Sequence, residues 1–180
     1  MKRALLILAF ALLAFAACRP EVPAVEGQVI DTTIASISVL TPAGDTCVVS
    51  TRGTNPMAVP GVLPGDVVRV AYAVLPDGET LRALQLDILT PSRYRLVPGI
   101  WRDCTGADEV GLVLAEDGSA KYVGKDGPEL QDWSLDGENL ALTSSDGNIL
   151  LYKIDRLDAD SLVVSPVEEG ARKLALSRAE

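Results

Sequence analysis

The sequence predicts an all-β chain built as two barrels, five strands followed by eight. Three observations carry that prediction. Apolar residues make up 48% of the chain and stand beside fifteen Gly and eleven Pro, a composition of pleated surfaces and turns. Neither half sustains a 3.6-residue apolar period, so helices should be minor. In the second half Asp-Gly recurs at 117-118, 126-127, 136-137 and 146-147. Asp-Gly between alternating apolar segments is a strong hairpin signal, expected to supply the positive φ of a primed turn.

The elements follow in chain order. Lys2 and Arg3 precede an unbroken apolar run from Ala4 to Ala17. A spanning helix needs about 20 such residues, so residues 1–17 read as a signal peptide. The run ends Phe15-Ala16-Ala17-Cys18, which resembles a bacterial lipobox. That resemblance implies cleavage before Cys18, acylation of Cys18 with palmitate among the chains, and a membrane partner reached through the N-terminal lipid. More than one acyl chain makes a stable anchor. Arg19 replaces the Asp that retains some enteric lipoproteins at the inner membrane, which favours the outer membrane. Residues 18–24, with Pro20 and Pro23, suit a short stiff tether. From Cys18 onward, 25 acidic residues face 14 basic ones, a charge of −11. Anionic head groups repel such a body, so it should stand off the membrane.

Residues 25–91 alternate with period two over 26–32, 35–41 and 45–51. Pro60-Gly61 and Pro64-Gly65 then introduce 66–74, and Asp77-Gly78 turns into 80–89. Five strands with a long third connection resemble an OB-like barrel, as do Gly27-Gln28-Val29 and the run from Val62 to Val70. Nucleic-acid-binding OB folds use a basic groove and stacking aromatics. This stretch carries only Tyr72 and seven acids against Arg52, Arg69 and Arg82, so no nucleic-acid partner is expected and a spacer role is.

A linker, residues 92–98, leads to residues 99–180. Strands are expected at 99–104, 109–116, 119–125, 130–136, 139–144, 148–156, 161–166 and 172–178. Successive hairpins make a meander, and eight strands can close on themselves. Gly99-Ile100-Trp101, opening this meander, is similar to the Gly-x-Trp motif of lipocalins. The segments 114–120, 133–140 and 152–157 resemble the lipocalin-like domains of bacterial lipoproteins. The resemblance implies an up-and-down barrel in which an Arg of the last strand closes the end over the Trp. Arg178, on one face with Leu174 and Leu176, is the matching residue. Alternation turns Val110, Leu112, Leu114, Ala120, Tyr122, Trp133, Leu135, Leu140, Leu142, Leu150, Tyr152, Ile154, Leu162, Val164, Leu174 and Leu176 inward. Side chains of this size can fill a short-stranded barrel, so a packed core is expected over a large cavity.

Function classes narrow further. The chain has no His, which removes Ser-His and Cys-His nucleophile pairs and the commonest transition-metal ligand. Some envelope lipoproteins that join OB-like and lipocalin-like domains sense copper, but this chain lacks both His and Cys-x-x-Cys and has only Met1 and Met57. No metal and no cofactor is expected. Asp155, Asp158 and Asp160 lie at strand ends, where Asp makes turns, and no aromatic cleft accompanies them. No catalytic residue is expected. Beyond Cys18, Cys47 and Cys104 could bridge the two barrels in an oxidising envelope or remain buried thiols. The expectation is therefore a non-enzymatic envelope lipoprotein whose lipocalin-like domain serves as a binding or interaction module, for an envelope protein or a small apolar ligand. The alternative is a carrier of a small apolar ligand.

Overall fold

The computed structural model describes residues 22–103, 110–125, 127–168 and 172–179. Cys18, the signal peptide and Cys104 lie outside the described residues. The first barrel comprises β1 (Ala24–Thr32), β2 (Ser36–Leu40), β3 (Thr46–Ser50), β4 (Val67–Val74) and β5 (Leu81–Thr90). The strands close in the order β1-β2-β3-β5-β4, with Gln28 opposite Val67 where β4 returns to β1. β3 and β5 pair in parallel, Val49 beside Leu81; this is the OB-like arrangement. Alternation sends Val29, Val39, Val49, Val68 and Val70 into one fully buried cluster. Burying a valine of this kind stabilises by about 1.5 kcal/mol or more.

The second barrel comprises β6 (Gly99–Arg102), β7 (Gly111–Leu114), β8 (Ala120–Val123), β9 (Leu130–Asp136), β10 (Asn139–Ser144), β11 (Ile149–Leu157), β12 (Ser161–Pro166) and β13 (Leu174–Arg178). It is an antiparallel, up-and-down, lipocalin-like sheet in the order β8-β7-β6-β13-β12-β11-β10-β9. β13 meets β6 through Ser177 opposite Arg102 and Arg178 opposite Trp101. The loosest seam is internal. β8 and β9 are joined by one bridge, Ser119 to Asp132, and by the Trp133 N–H donating to Gly118 O at 2.8 Å. The barrel is nearly closed.

The turns differ from the primed hairpins expected at every Asp-Gly. Gly118 and Gly147 have positive φ, but no non-glycine residue among those described does, so neither turn is of the I′ type. Gly118 N–H donates to Ala115 O and Gly147 N–H to Ser144 O. These are three-residue loops in which Gly takes the left-handed position after a type I turn. At Asp136-Gly137 the loop is two residues long and Gly137, φ 60°, occupies its first position, as in a II′ turn. Gly127 lacks a positive φ, and Asp126 lies outside the described residues.

The segment expected as a plain linker contains one helical turn, α1 (Arg93–Leu96), fastened to both barrels. On one side Asp66, fully buried, accepts from Leu63 N–H at 2.8 Å, Ser92 N–H at 2.7 Å and Arg95 Nη2 at 3.0 Å. Arg95 Nη2 also donates to Gly61 O at 3.1 Å. On the other side Arg93 donates to Gly137 O at 3.2 Å, and Val97 is buried in the second barrel's core. Trp101 Nε1 donates to Val97 O at 2.8 Å. The bonds of Ser92, Arg93 and Arg95 run from the α1 segment to both barrels, so the two are held through α1 as one frame.

Candidate functional site

At the closed end of the second barrel, Arg178 lies over the Trp101 ring, its guanidinium carbon 4.3 Å from the centroid. Its Nη1 donates to Pro98 O at 2.8 Å and its Nη2 to Leu96 O at 2.6 Å, while Nε donates to Ala159 O. A planar fork with donors on three sides can serve three carbonyls at once, which an ammonium on a flexible stem does poorly. Gly99 is the third member of this group. A Cβ there would fall 2.1 Å from Arg178 Nη1, so the motif's glycine leaves room for the guanidinium. Trp101 itself is fully buried. The arrangement is structural, since its donors are spent on backbone carbonyls.

The barrel interior is one packed cluster. Leu112, Leu114, Ala120, Trp133, Leu140, Leu142, Tyr152, Ile154, Leu162, Val164, Leu174 and Leu176 are buried in it, and Tyr122, Leu135 and Leu150 pack against it half-buried. Val110 stands outside that cluster, half-buried. Val97, Leu130 and Trp101, which alternation did not place in the interior set, belong to it. Burial, with the Tyr122 phenol nearby, pushes the Tyr152 hydroxyl above its ordinary range, so it stays neutral.

Cys47 has no disulfide partner among the described residues. Its side chain packs against the first barrel's core, and burial pushes its pKa up, so it behaves as a small apolar residue. Cys104 lies outside the described residues.

The strand-end carboxylates are occupied. Asp155 accepts from Lys173 Nζ at 2.8 Å and from Ser165; Asp158 accepts from Arg156 Nε at 2.8 Å and from Asp160 N–H. Hydrogen bonds from Lys173 and Arg156 hold these two carboxyls below the usual range. A general acid at neutral pH needs the opposite shift. Among the described residues no group of three His, Cys, Asp or Glu could hold a metal ion, and no helix is long and apolar enough to cross a membrane.

A concave feature among the described residues lies between the barrels. A cleft of about 640 Å³ is bounded by the β3–β4 connector at Gly61–Pro64, by Tyr94, Arg95 and Pro98 of the fastened segment, and by Glu116 and Trp133 of the second barrel. That volume is within the range of small-ligand and peptide sites. Trp133 has a double role: it belongs to the barrel core and lines the cleft. Its Nε1 donates to Ala115 O at 2.7 Å across the β8–β9 seam. Sequence alternation turned Trp133 inward but carried no sign of the cleft, because that depends on how α1 joins the barrels.

The cleft's charges are uneven. Asp66 is desolvated, which opposes ionisation, but hydrogen bonds from Arg95, Leu63 N–H and Ser92 N–H outweigh this and lower its pKa. Arg95 is thereby committed to Asp66 and Gly61. Glu116, by contrast, is exposed and makes no hydrogen bond or ion pair with the described residues. The Tyr94 ring is 49% exposed. The site thus offers apolar and aromatic surface beside one unpaired carboxylate.

A scan of the chain against protein-family models finds no match, and a search among curated proteins finds none either.

Proposed function

We propose that the protein is a non-enzymatic lipoprotein of the bacterial cell envelope, acylated at Cys18 and held at the outer membrane, whose lipocalin-like barrel and its cleft form an interaction module. The observation that carries this reading is the frame itself. The second barrel's interior is a cluster of its own buried side chains, whereas the cleft beside it is open and built on clamped elements. Pre-organisation of that kind favours binding, because less ordering is needed when a partner arrives.

Strand register supports a tethered arrangement. Ala24, where β1 begins, lies opposite Ala71, while Thr90, where the chain leaves for the second barrel, lies opposite Val67. Four residues of strand separate these levels, about 13 Å. The six steps from Cys18 to Ala24 reach at most about 20 Å. The OB-like barrel would then act as a spacer near the bilayer, with the second barrel carried on its farther part. The acidic body would resist lying down on anionic lipid.

Cys18→Ser tests the anchor. The variant should keep its signal segment, gain no acyl mass and leave the outer-membrane fraction, because a single thiol supplies the lipid attachment. A variant that still fractionates with the outer membrane as the parent does would contradict the lipoprotein reading.

A further inference from the structure

The inter-barrel cleft has a smaller neighbour on the same connector. A smaller space of about 210 Å³ lies between the β1–β2 turn at Thr32–Ile34 and the connector at Val59–Val62. Gly61 and Val62 line both spaces, so this stretch of connector is the floor common to both. Along that floor the N–H groups of Gly61 and Val62 and the carbonyls of Pro60 and Val62 make no hydrogen bond to the described residues. Their neighbours are engaged: Val59 N–H donates to Asn55 O, and Leu63 N–H to Asp66. The inter-barrel cleft, walled by Leu63, Pro64, Tyr94, Pro98 and Trp133, therefore combines a mainly apolar lining with a short run of unpaired main chain.

That combination decides among occupants. A hydrocarbon tail covering residues 60–62 would strip water from their peptide groups and return no hydrogen bond, an unfavourable exchange. An extended polypeptide returns both donors and acceptors while placing alternate side chains on the walls. The charge points the same way. Arg95 is taken by Asp66, Glu116 is unpaired, and the body from Cys18 onward carries −11. We propose that the cleft binds an extended segment of a partner protein, apolar in alternation and carrying a Lys or Arg that pairs with Glu116. This deepens the interaction-module reading and rests on it.

Gly61 supplies the test. A Cβ built on it meets nothing within 4 Å, and its φ is not in the left-handed region, so a large side chain should fill the cleft without straining the barrel. The probe is a bead-bound library of short acetylated, amidated peptides, screened against the full mature chain in detergent. Retained peptides should alternate apolar residues and place a basic residue at one fixed position. For a resynthesised peptide, Gly61→Trp should weaken binding at least about tenfold, with the circular dichroism of the parent unchanged. Glu116→Gln should remove the preference for the basic residue and leave the apolar pattern. Methylating the peptide's main-chain nitrogens should abolish binding. Peptides that bind Gly61→Trp as well as the parent, a library that yields none, or a preference for acidic residues would overturn the proposal. Loss of this inference alone would leave membrane fractionation untouched, whereas failure of the lipoprotein reading would show in the Cys18→Ser fractions.

Discussion

Trp101→Ala should destabilise the second barrel by about 3 to 5 kcal/mol, the range for emptying a large buried aromatic site. The indole is fully buried, donates to Val97 O, and carries Arg178 on its face. Removing it therefore leaves a cavity at the closed end, an unserved carbonyl and a guanidinium without its platform. Arg178→Ala should cost less in itself, but it strands the carbonyls of Leu96 and Pro98. The cation on the ring is worth about 0.5 to 2 kcal/mol according to its desolvation. A double-mutant cycle in urea separates these effects: Trp101 and Arg178 should couple, whereas Trp101 and Arg156, an exposed residue paired with Asp158, should not. Zero coupling in the first cycle would remove the basis for treating the Arg–Trp contact as the barrel's closure.

Asp66→Ala should loosen the junction between the barrels and cost about 2 to 4 kcal/mol, from the buried Ser92 N–H and the part-buried Leu63 N–H left without acceptors and a broken ion pair. The figure is held down because the Arg95 side chain is 37% exposed and can turn to water. Hydrogen exchange gives the local readout: the amides of Leu63 and Ser92 should lose protection in the variant. The pH dependence follows from the direction of the shift. Asp66 has a folded pKa below its unfolded one, so its contribution is complete above the ordinary aspartate value of about 3.9. It is lost as pH falls through the folded value. The stability gap between parent and Asp66→Ala should thus be constant from neutral pH down to about 5 and shrink below about 4. A gap that widens with acid would contradict the assignment.

Much of the fold was legible in the sequence because period-two alternation and Gly-centred turns are local signals. Val67–Val74 and Asn139–Ser144 announce themselves by inward apolar residues at every second position, and the lipocalin resemblance together with meander order brought Trp101 and Arg178 together. The junction was not legible. Asp66 follows Pro64-Gly65 and reads as a turn residue, and its partner Arg95 stands 29 positions away in a segment with no apolar period. α1 forms where Ser92 is fixed by that carboxylate, a tertiary cause that four residues cannot display. The turn type at Asp117-Gly118 and Asp146-Gly147 was misjudged for a related reason: Asp-Gly fits both a primed pair and the end of a three-residue loop, and hydrogen-bond register selects between them. The cleft was invisible because its walls come from a connector, a linker and a barrel seam, each unremarkable on its own.

Native mass spectrometry of the protein extracted from membranes in detergent tests the central claim most directly. An anchored interaction module with a filled barrel predicts a chain beginning at Cys18, heavier by its acyl groups, and carrying no further small molecule once detergent is stripped. A mass that still includes the signal segment, or a stoichiometric apolar adduct released on collisional activation, would contradict it, the adduct pointing instead to a carrier.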